Sequence, residues 1–245
     1  AWHAMLKKYS VTVHLNTRAD QETLTSNGFD EIILSTGVSP RRMEIEGIQH
    51  PMVLDYADVL YRKKPVGKRV AIIGAGGIGF DMAEYLAHDM AHEPVSLNVE
   101  AYMQEWGVDM EYNKGGSLAE SPQPLPSPRE IYLIKRSRGK HGKKLGKTTG
   151  WIHRASLAMK EVNMIAEAQY VKVDDEGLHI LVNEEPRTLA VDNVVICAGQ
   201  EPFRAMYDEL EAQGLSVHLI GGANIAKALD AKKAIKEASV LASTI

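Results

Sequence analysis

Apolar positions are most regularly organised between residues 69 and 88. The run Val70 to Ile73 predicts a buried strand, a glycine-rich turn follows, and Met82, Ala83 and Leu86 then recur at helical spacing, predicting a helix over 77–88. Elsewhere the pattern predicts strands at Val11–Leu15, Glu31–Ser35, Ile131–Lys135, Val194–Cys197 and Val217–Ile220. Four more short strands are expected at Val162–Ile165, Tyr170–Val173, Leu178–Val182 and Arg187–Ala190, the middle pair joined by the turn Asp174–Gly177. Helices are expected over Trp151–Glu161 and from Ile225 to about Ala242, and the first eight residues read as the middle of a helix. Residues 40–61 look irregular, with an acidic helical turn near Asp55–Leu60. Residues 89–128 break the strand–helix rhythm and end in a stretch rich in Gly, Ser and Pro. The order is that of an α/β fold.

The turn in the best-patterned segment is Gly74-x-Gly76-x-x-Gly79. Strand, glycines and helix in that order are what a dinucleotide site requires: Gly74 for a tight turn, Gly76 for backbone approach to a pyrophosphate, Gly79 for close helix–strand packing. The N–H groups of Gly76, Gly77 and Ile78 at the helix start would face the phosphates. A purely structural glycine turn is the alternative. Nucleotide choice turns on the end of the next strand, where an acid about 20 residues on favours NAD and arginine favours NADP. Glu100 has the spacing, but its stretch follows His92-Glu93-Pro94 and runs into a polar-aromatic segment with no strand–helix sequel. Ile131–Lys135 makes the better second strand, and it ends in Lys135, Arg136 and Arg138, which suit a 2′-phosphate dianion. The segment Gly146-Lys147-Thr148 is no P-loop, because position 141 is histidine where that motif needs glycine.

Composition narrows the classes. Of 245 residues 24% are charged and 44% hydrophobic, ordinary for a globular protein. A single cysteine, Cys197, excludes an internal disulfide and a cysteine-ligated iron–sulfur cluster; it suits a reducing cytoplasm and reads as a core thiol. The nine histidines show no ligand spacing, so no metal site is expected. The first residues do not read as the apolar region of a signal peptide, so no secretory leader is expected, and no apolar stretch approaches the ~20 residues of a membrane span. Net charge is −4, yet residues 129–147 hold eight Lys/Arg against one acid. That local cluster suggests an anion site or a solvated loop; a nucleic-acid partner would call for a broader basic face.

Longer segments carry a resemblance. Ile-Leu-Ser-Thr-Gly-Val-Ser-Pro-Arg at 33–41, Ala-Ile-Ile-Gly-Ala-Gly-Gly-Ile-Gly-Phe-Asp at 71–81, Leu-Gly-Lys-Thr-Thr-Gly-Trp-Ile-His-Arg at 145–154, Val-Asp-Asn-Val-Val-Ile-Cys-Ala-Gly-Gln-Glu-Pro at 191–202 and His-Leu-Ile-Gly-Gly-Ala at 218–223 are similar to the C-terminal part of the bacterial NADPH-dependent 2,4-dienoyl-CoA reductases, iron–sulfur flavoenzymes of unsaturated fatty-acid β-oxidation. The resemblance implies a Rossmann-like NAD(P)-binding domain (46–205, with 89–128 as an irregular insertion) set into a partial FAD-binding domain (1–45 and 206–245). In such proteins an N-terminal TIM barrel holds FMN and substrate, beside a [4Fe–4S] cluster. A barrel alone needs ~250 residues, so FMN, the cluster and the substrate-protonating groups are expected outside this chain, on a barrel part of the same polypeptide. The chain reads as a fragment that is inactive by itself, with no catalytic side chain of its own.

The resemblance further implies that NADPH passes hydride to FAD. It puts Arg154 and Lys147 near phosphate, and Thr36, Gly37, Ala198 and Gly199 at the flavin–nicotinamide crossing. Gly221, Gly222, Ala223 and Asn224 would lie at the flavin phosphate or ribitol. Many relatives have Gly-Asp at this last place; here Ala223 or Asn224 stands for the acid. The same module of an NADH oxidase or amine dehydrogenase relative, or a nucleotide-binding redox sensor, remains an alternative. A thiol at Cys197 doing redox work, a nucleic-acid partner and a membrane are not expected.

Overall fold

The computed structural model describes residues 2–89, 91–143, 145–227 and 229–245. The chain divides into two compact units, residues 1–39 with 200–245, and residues 40–199; the divisions fall at 39/40 and 199/200.

The first unit begins with helices α1 (Trp2–Lys8) and α2 (Gln21–Ser26) and strands β1 (Ile32–Leu34) and β2 (Val38–Pro40). The strand expected at Val11–Leu15 does not form. Val11, Val13 and Leu15 are half exposed or more, and no described strand lies beside them to accept a ladder, without which extended backbone gains nothing over hydration.

The second unit carries β3 (Val53–Asp55), α3 (Tyr56–Leu60), β4 (Arg69–Ile73), α4 (Gly77–Ala87), α5 (Val99–Glu105), β5 (Glu130–Ile134), α6 (Gly150–Met159), β6 (Asn163–Ile165), β7 (Ala168–Asp174), β8 (Gly177–Val182), β9 (Glu185–Leu189) and β10 (Asn193–Ile196). The acidic turn near residue 55 is a reciprocal cap: the Asp55 side chain accepts from Asp58 N–H at 2.7 Å, and Asp58 accepts from Asp55 N–H. Five strands form one parallel sheet in the order β3-β10-β4-β5-β6, with Ile72 opposite Leu133 on one side and Val195 on the other. Being covered on both faces, its strands are continuously apolar. Val70, Ile72 and Leu133 pack with Phe80, Met82 and Leu86 of α4 on one side, and Ala71, Ile73 and Ile134 with Leu178, Ile180 and Leu189 on the other. Each of the larger side chains among them contributes about 1.5–3 kcal/mol by leaving water. The second face is supplied by the antiparallel sheet β7-β8-β9, whose turn at Asp174–Gly177 fell where the sequence predicted.

The chain then returns to the first unit with β11 (Gln200–Pro202), α7 (Tyr207–Ala212), β12 (Val217–Leu219) and α8 (Ala231–Ala242); β12 pairs in parallel with β1, and β11 with β2. The helix expected from Ile225 starts only at Ala231. Gly221–Ala223 form a 3₁₀ turn instead, and Asp230 begins the helix by accepting from Lys233 N–H at 2.8 Å. An N-cap aspartate outweighed the weak apolar periodicity before it.

Two positions in the second unit set its local geometry. A Cβ on Gly79 would lie 1.7 Å from the Gly74 carbonyl oxygen, whereas one on Gly76 meets nothing within 4 Å. We therefore expect Gly79→Ala to cost about 3 kcal/mol or more in urea unfolding, and Gly76→Ala less than about 1 kcal/mol. The second position is His141, buried in the loop after β5, where Nε2 faces the carbonyl oxygens of Leu133 (3.0 Å) and Ile165 (3.1 Å). Two acceptors make Nε2 the protonated donor of a neutral ring, and burial, reinforced by the Lys135 charge, pushes the imidazole pKa down. The unfolded chain then takes up the proton first, so this contribution is present above the ordinary histidine pKa, about 6.5, and is lost as pH falls below it. Urea-unfolding free energy measured from pH 7 to pH 5 should fall less steeply in His141→Gln than in the unsubstituted chain.

Candidate nucleotide-binding site

At the carboxyl edge of the parallel sheet, β4 runs into the turn Gly74–Gly76 and then α4. Gly74 has φ +111°, its N–H donates to Ile134 O at 2.8 Å, and a Cβ there would lie 2.6 Å from Cys197 O. Three strand ends, those of β4, β5 and β10, are thus drawn together. Gly79 holds α4 against the turn. Gly76 is the N-cap of α4 and carries no side-chain cap; Gly76 and Gly77 are exposed, with open space where each Cβ would stand, and Ile78 is half-buried. Open backbone at a helix start on this edge of the sheet is the surface a pyrophosphate needs. The residues therefore fit a dinucleotide: a Cβ at Gly76 or Gly77 would project into the space the ligand takes.

The stretch leading to Glu100 is no strand: residues 95–97 form a 3₁₀ turn and Glu100 lies in α5, while β5 is the strand beside β4. Past β5 the basic residues divide by role. Arg129 precedes the strand and is structural, donating to Leu86 O at the end of α4 and to Gly67 O, both at 3.1 Å. Lys135 Nζ donates to the carbonyl oxygens of Arg138 (3.2 Å) and Lys140 (3.0 Å), so its charge is turned into its own loop. That differs from the expectation that it faces a phosphate. Arg138 is exposed and pairs with Glu167 at 2.9 Å. Arg136 is exposed and lines a recess of about 470 Å³ with Arg138, Glu167 and Asn183. Lys140, Lys143 and Lys147 are exposed on the same loop; Lys144 lies outside the described residues.

This loop is held against α4. A Cβ on Gly142, at φ +68°, would meet Phe80 Cζ at 2.9 Å, and Arg154 from α6 donates to Gly142 O at 3.4 Å. His153 joins α6 to α4 through Glu84 at 3.0 Å. Thr149 stands at the N-cap of α6 without a side-chain cap bond, and Gly150 N–H donates to Gly146 O at 2.7 Å.

Ala198 and Gly199 end β10 beside Gly74, with Ala198 Cα 3.0 Å from where a Gly74 Cβ would be. Arg41, overlooked in the sequence, lies over Gly199: its N–H donates to Gly199 O at 3.1 Å, and its guanidinium carbon is 3.2 Å from the Gly199 Cβ position. Its place at the end of the 33–41 segment was the available signal. Cys197 is buried, and burial together with Asp55 pushes its thiol up to about 12, which leaves it an inert core group.

In the first unit, the Thr36 hydroxyl donates to Phe203 O, and Gly37 has φ +83°. Gly222 packs on that strand end, since a Cβ would lie 2.7 Å from Val38 Cγ1. Gly221, Gly222 and Ala223 are buried and Asn224 half-buried. The Gly221 N–H does not point to an open anion site as expected: it donates to Glu237 Oε2 at 2.7 Å. Glu237 was invisible to motif reasoning because it sits 16 residues away on α8.

Among the described residues, Asp174, Glu176 and His179 bring ligand atoms within 4.8 Å of one another. Lys172 and His179 already bond the Asp174 carboxyl and hold it far below the usual carboxylate range. No helix of the described residues is long and apolar enough to cross a membrane.

Comparison with known proteins agrees with this architecture. A cinnamate reductase of Clostridium sporogenes is 28% identical over 91% of this chain, and a metal reductase of Desulforamulus reducens 22% identical over 87%. The chain spans only 28% and 31% of their respective lengths. A solved 2-naphthoyl-CoA reductase complex superposes over the whole chain and 31% of its own, with TM-score 0.74 and 20% identity, showing the same fold. The sequence model of the pyridine nucleotide-disulphide oxidoreductases matches residues 4–233, and the chain belongs to that family of flavoprotein oxidoreductases.

Proposed function

We propose that this chain is the NADPH-binding, flavin-reducing part of a larger reductase similar to the 2,4-dienoyl-CoA reductases, with FMN, [4Fe–4S] and substrate held on a barrel part of that polypeptide. The observation that carries the nucleotide assignment is the open backbone at Gly76 and Gly77, at the start of α4 on the carboxyl edge of a parallel sheet. Arg136 and Arg138, at the end of the adjacent strand, favour the 2′-phosphate of NADPH; Arg154 and Lys147 are candidates for the remaining phosphate charge. The names of two similar proteins, a cinnamate reductase and a 2-naphthoyl-CoA reductase, favour an unsaturated acid or its thioester as the final acceptor.

NADPH and FAD supply the hydride chemistry when bound. This chain's share is binding, orientation and exclusion of water. The Gly76–Ile78 N–H groups neutralise pyrophosphate, Gly74 and Gly79 keep that turn rigid, and the 136–147 loop supplies positive charge. In the first unit, Thr36, Gly37 and the 221–224 turn are the groups available to a flavin nucleotide. No side chain here is required to move a proton to substrate.

Arg136→Ala removes one charge-assisted contact, worth about 1.5–3 kcal/mol. Calorimetric titration should show NADPH weakened at least about tenfold and NADH almost unchanged. Equal losses for both nucleotides would reject the 2′-phosphate assignment.

A further inference from the structure

The carboxylate of Glu237 sits between two donors of the 221–224 turn. Gly221 N–H donates to Oε2 at 2.7 Å and the Asn224 amide nitrogen donates to Oε1. This is not helix capping, since Glu237 lies in the middle of α8 and the helix start is already served by Asp230. Both side chains are half-buried and border a groove of about 880 Å³ that Lys227, Lys233 and Lys236 also line. A carboxylate only accepts, whereas a carboxamide presents a donor on one side and an acceptor on the other. With Nδ2 committed to Glu237, Asn224 turns Oδ1 away from it and offers a ligand an acceptor, as an aspartate would.

We propose that Glu237 is a positioning residue that fixes the Asn224 carboxamide so that Oδ1 accepts a hydroxyl from the polyol chain of a flavin nucleotide. The proposal rests on the flavin reading of this unit given above. Without Glu237 the amide is free to rotate and present its donor edge, and the buried Gly221 N–H loses its partner, a costly state for a backbone donor.

Exchange of the two chemistries tests this. Asn224→Asp alone sets two carboxylates against each other and forfeits the amide donor. Adding Glu237→Gln restores one acid and one amide, now with the acid facing outward. Two readouts at neutral pH are needed. In urea unfolding of the 245-residue chain without flavin, N224D should be destabilised and the N224D/E237Q double variant should recover. In the polypeptide as its gene encodes it, N224D should weaken FAD about tenfold or more, and the double variant should return to the unsubstituted affinity. An N224D variant that keeps full stability and FAD affinity, or a double variant that recovers neither, overturns the proposal. Recovery of stability without recovery of FAD affinity also overturns it, leaving a purely structural pair. If the unsubstituted polypeptide holds no FAD while the stability exchange still works, the flavin reading has failed and the pairing has not.

Discussion

The second unit depends on one close approach: helix α4 lies so near the end of β4 that the Gly74 carbonyl oxygen occupies the place a Cβ on Gly79 would take. That contact requires glycine at 79 and, with Cys197 O crowding the other side of the turn, glycine in a left-handed conformation at 74. Once both are met, α4 starts directly over the carboxyl edge of the sheet with its first N–H groups uncapped and exposed. Packing strain and ligand geometry are therefore solved by the same three glycines. Gly76, which packs against nothing, is the one whose smallness serves only what approaches from outside.

The surrounding charges are arranged around that start without crowding it. Two cations are consumed by structure: Lys135, at the strand end, on the carbonyls of its own loop, and Arg129, at the opposite edge of the sheet, on the carbonyl end of α4. Neutral His141 seals the loop against the ends of β5 and β6, a place where a charged ring would carry a second N–H, on Nδ1, needing an acceptor of its own. Among the described residues, Arg136, Arg138, Lys140, Lys143 and Lys147 remain turned to solvent. A local positive field on an otherwise mildly acidic protein would, on the proposed function, draw a polyanionic nucleotide to one edge.

The sheet and the glycine turn at its edge are legible in the sequence wherever a strand is buried on both faces or a glycine is compelled by geometry. Val70–Ile73, Ile131–Ile134 and Val194–Ile196 had no polar interruption, and the fingerprint glycines had a physical reason at each position. Two kinds of feature were not legible. A segment such as 11–15 has strand-like alternation, yet pairing depends on a neighbour that its own residues do not specify. Long-range bonds, from the Glu237 carboxylate to the 221–224 turn and from the Arg41 backbone N–H to Gly199 O, join positions whose nearness only the fold creates. The start of α8 follows the Asp230 cap and not the apolar periodicity from Ile225.

The central claim is that a nicotinamide dinucleotide binds at the start of α4. It is tested most directly by following backbone amide resonances of the ¹⁵N-labelled chain during NADPH titration. The account predicts the largest saturable shifts at Gly76, Gly77 and Ile78 and in the 136–147 loop, with the 221–224 turn unmoved. Saturable shifts that spare the start of α4, or binding that shifts only the 221–224 turn, would contradict it.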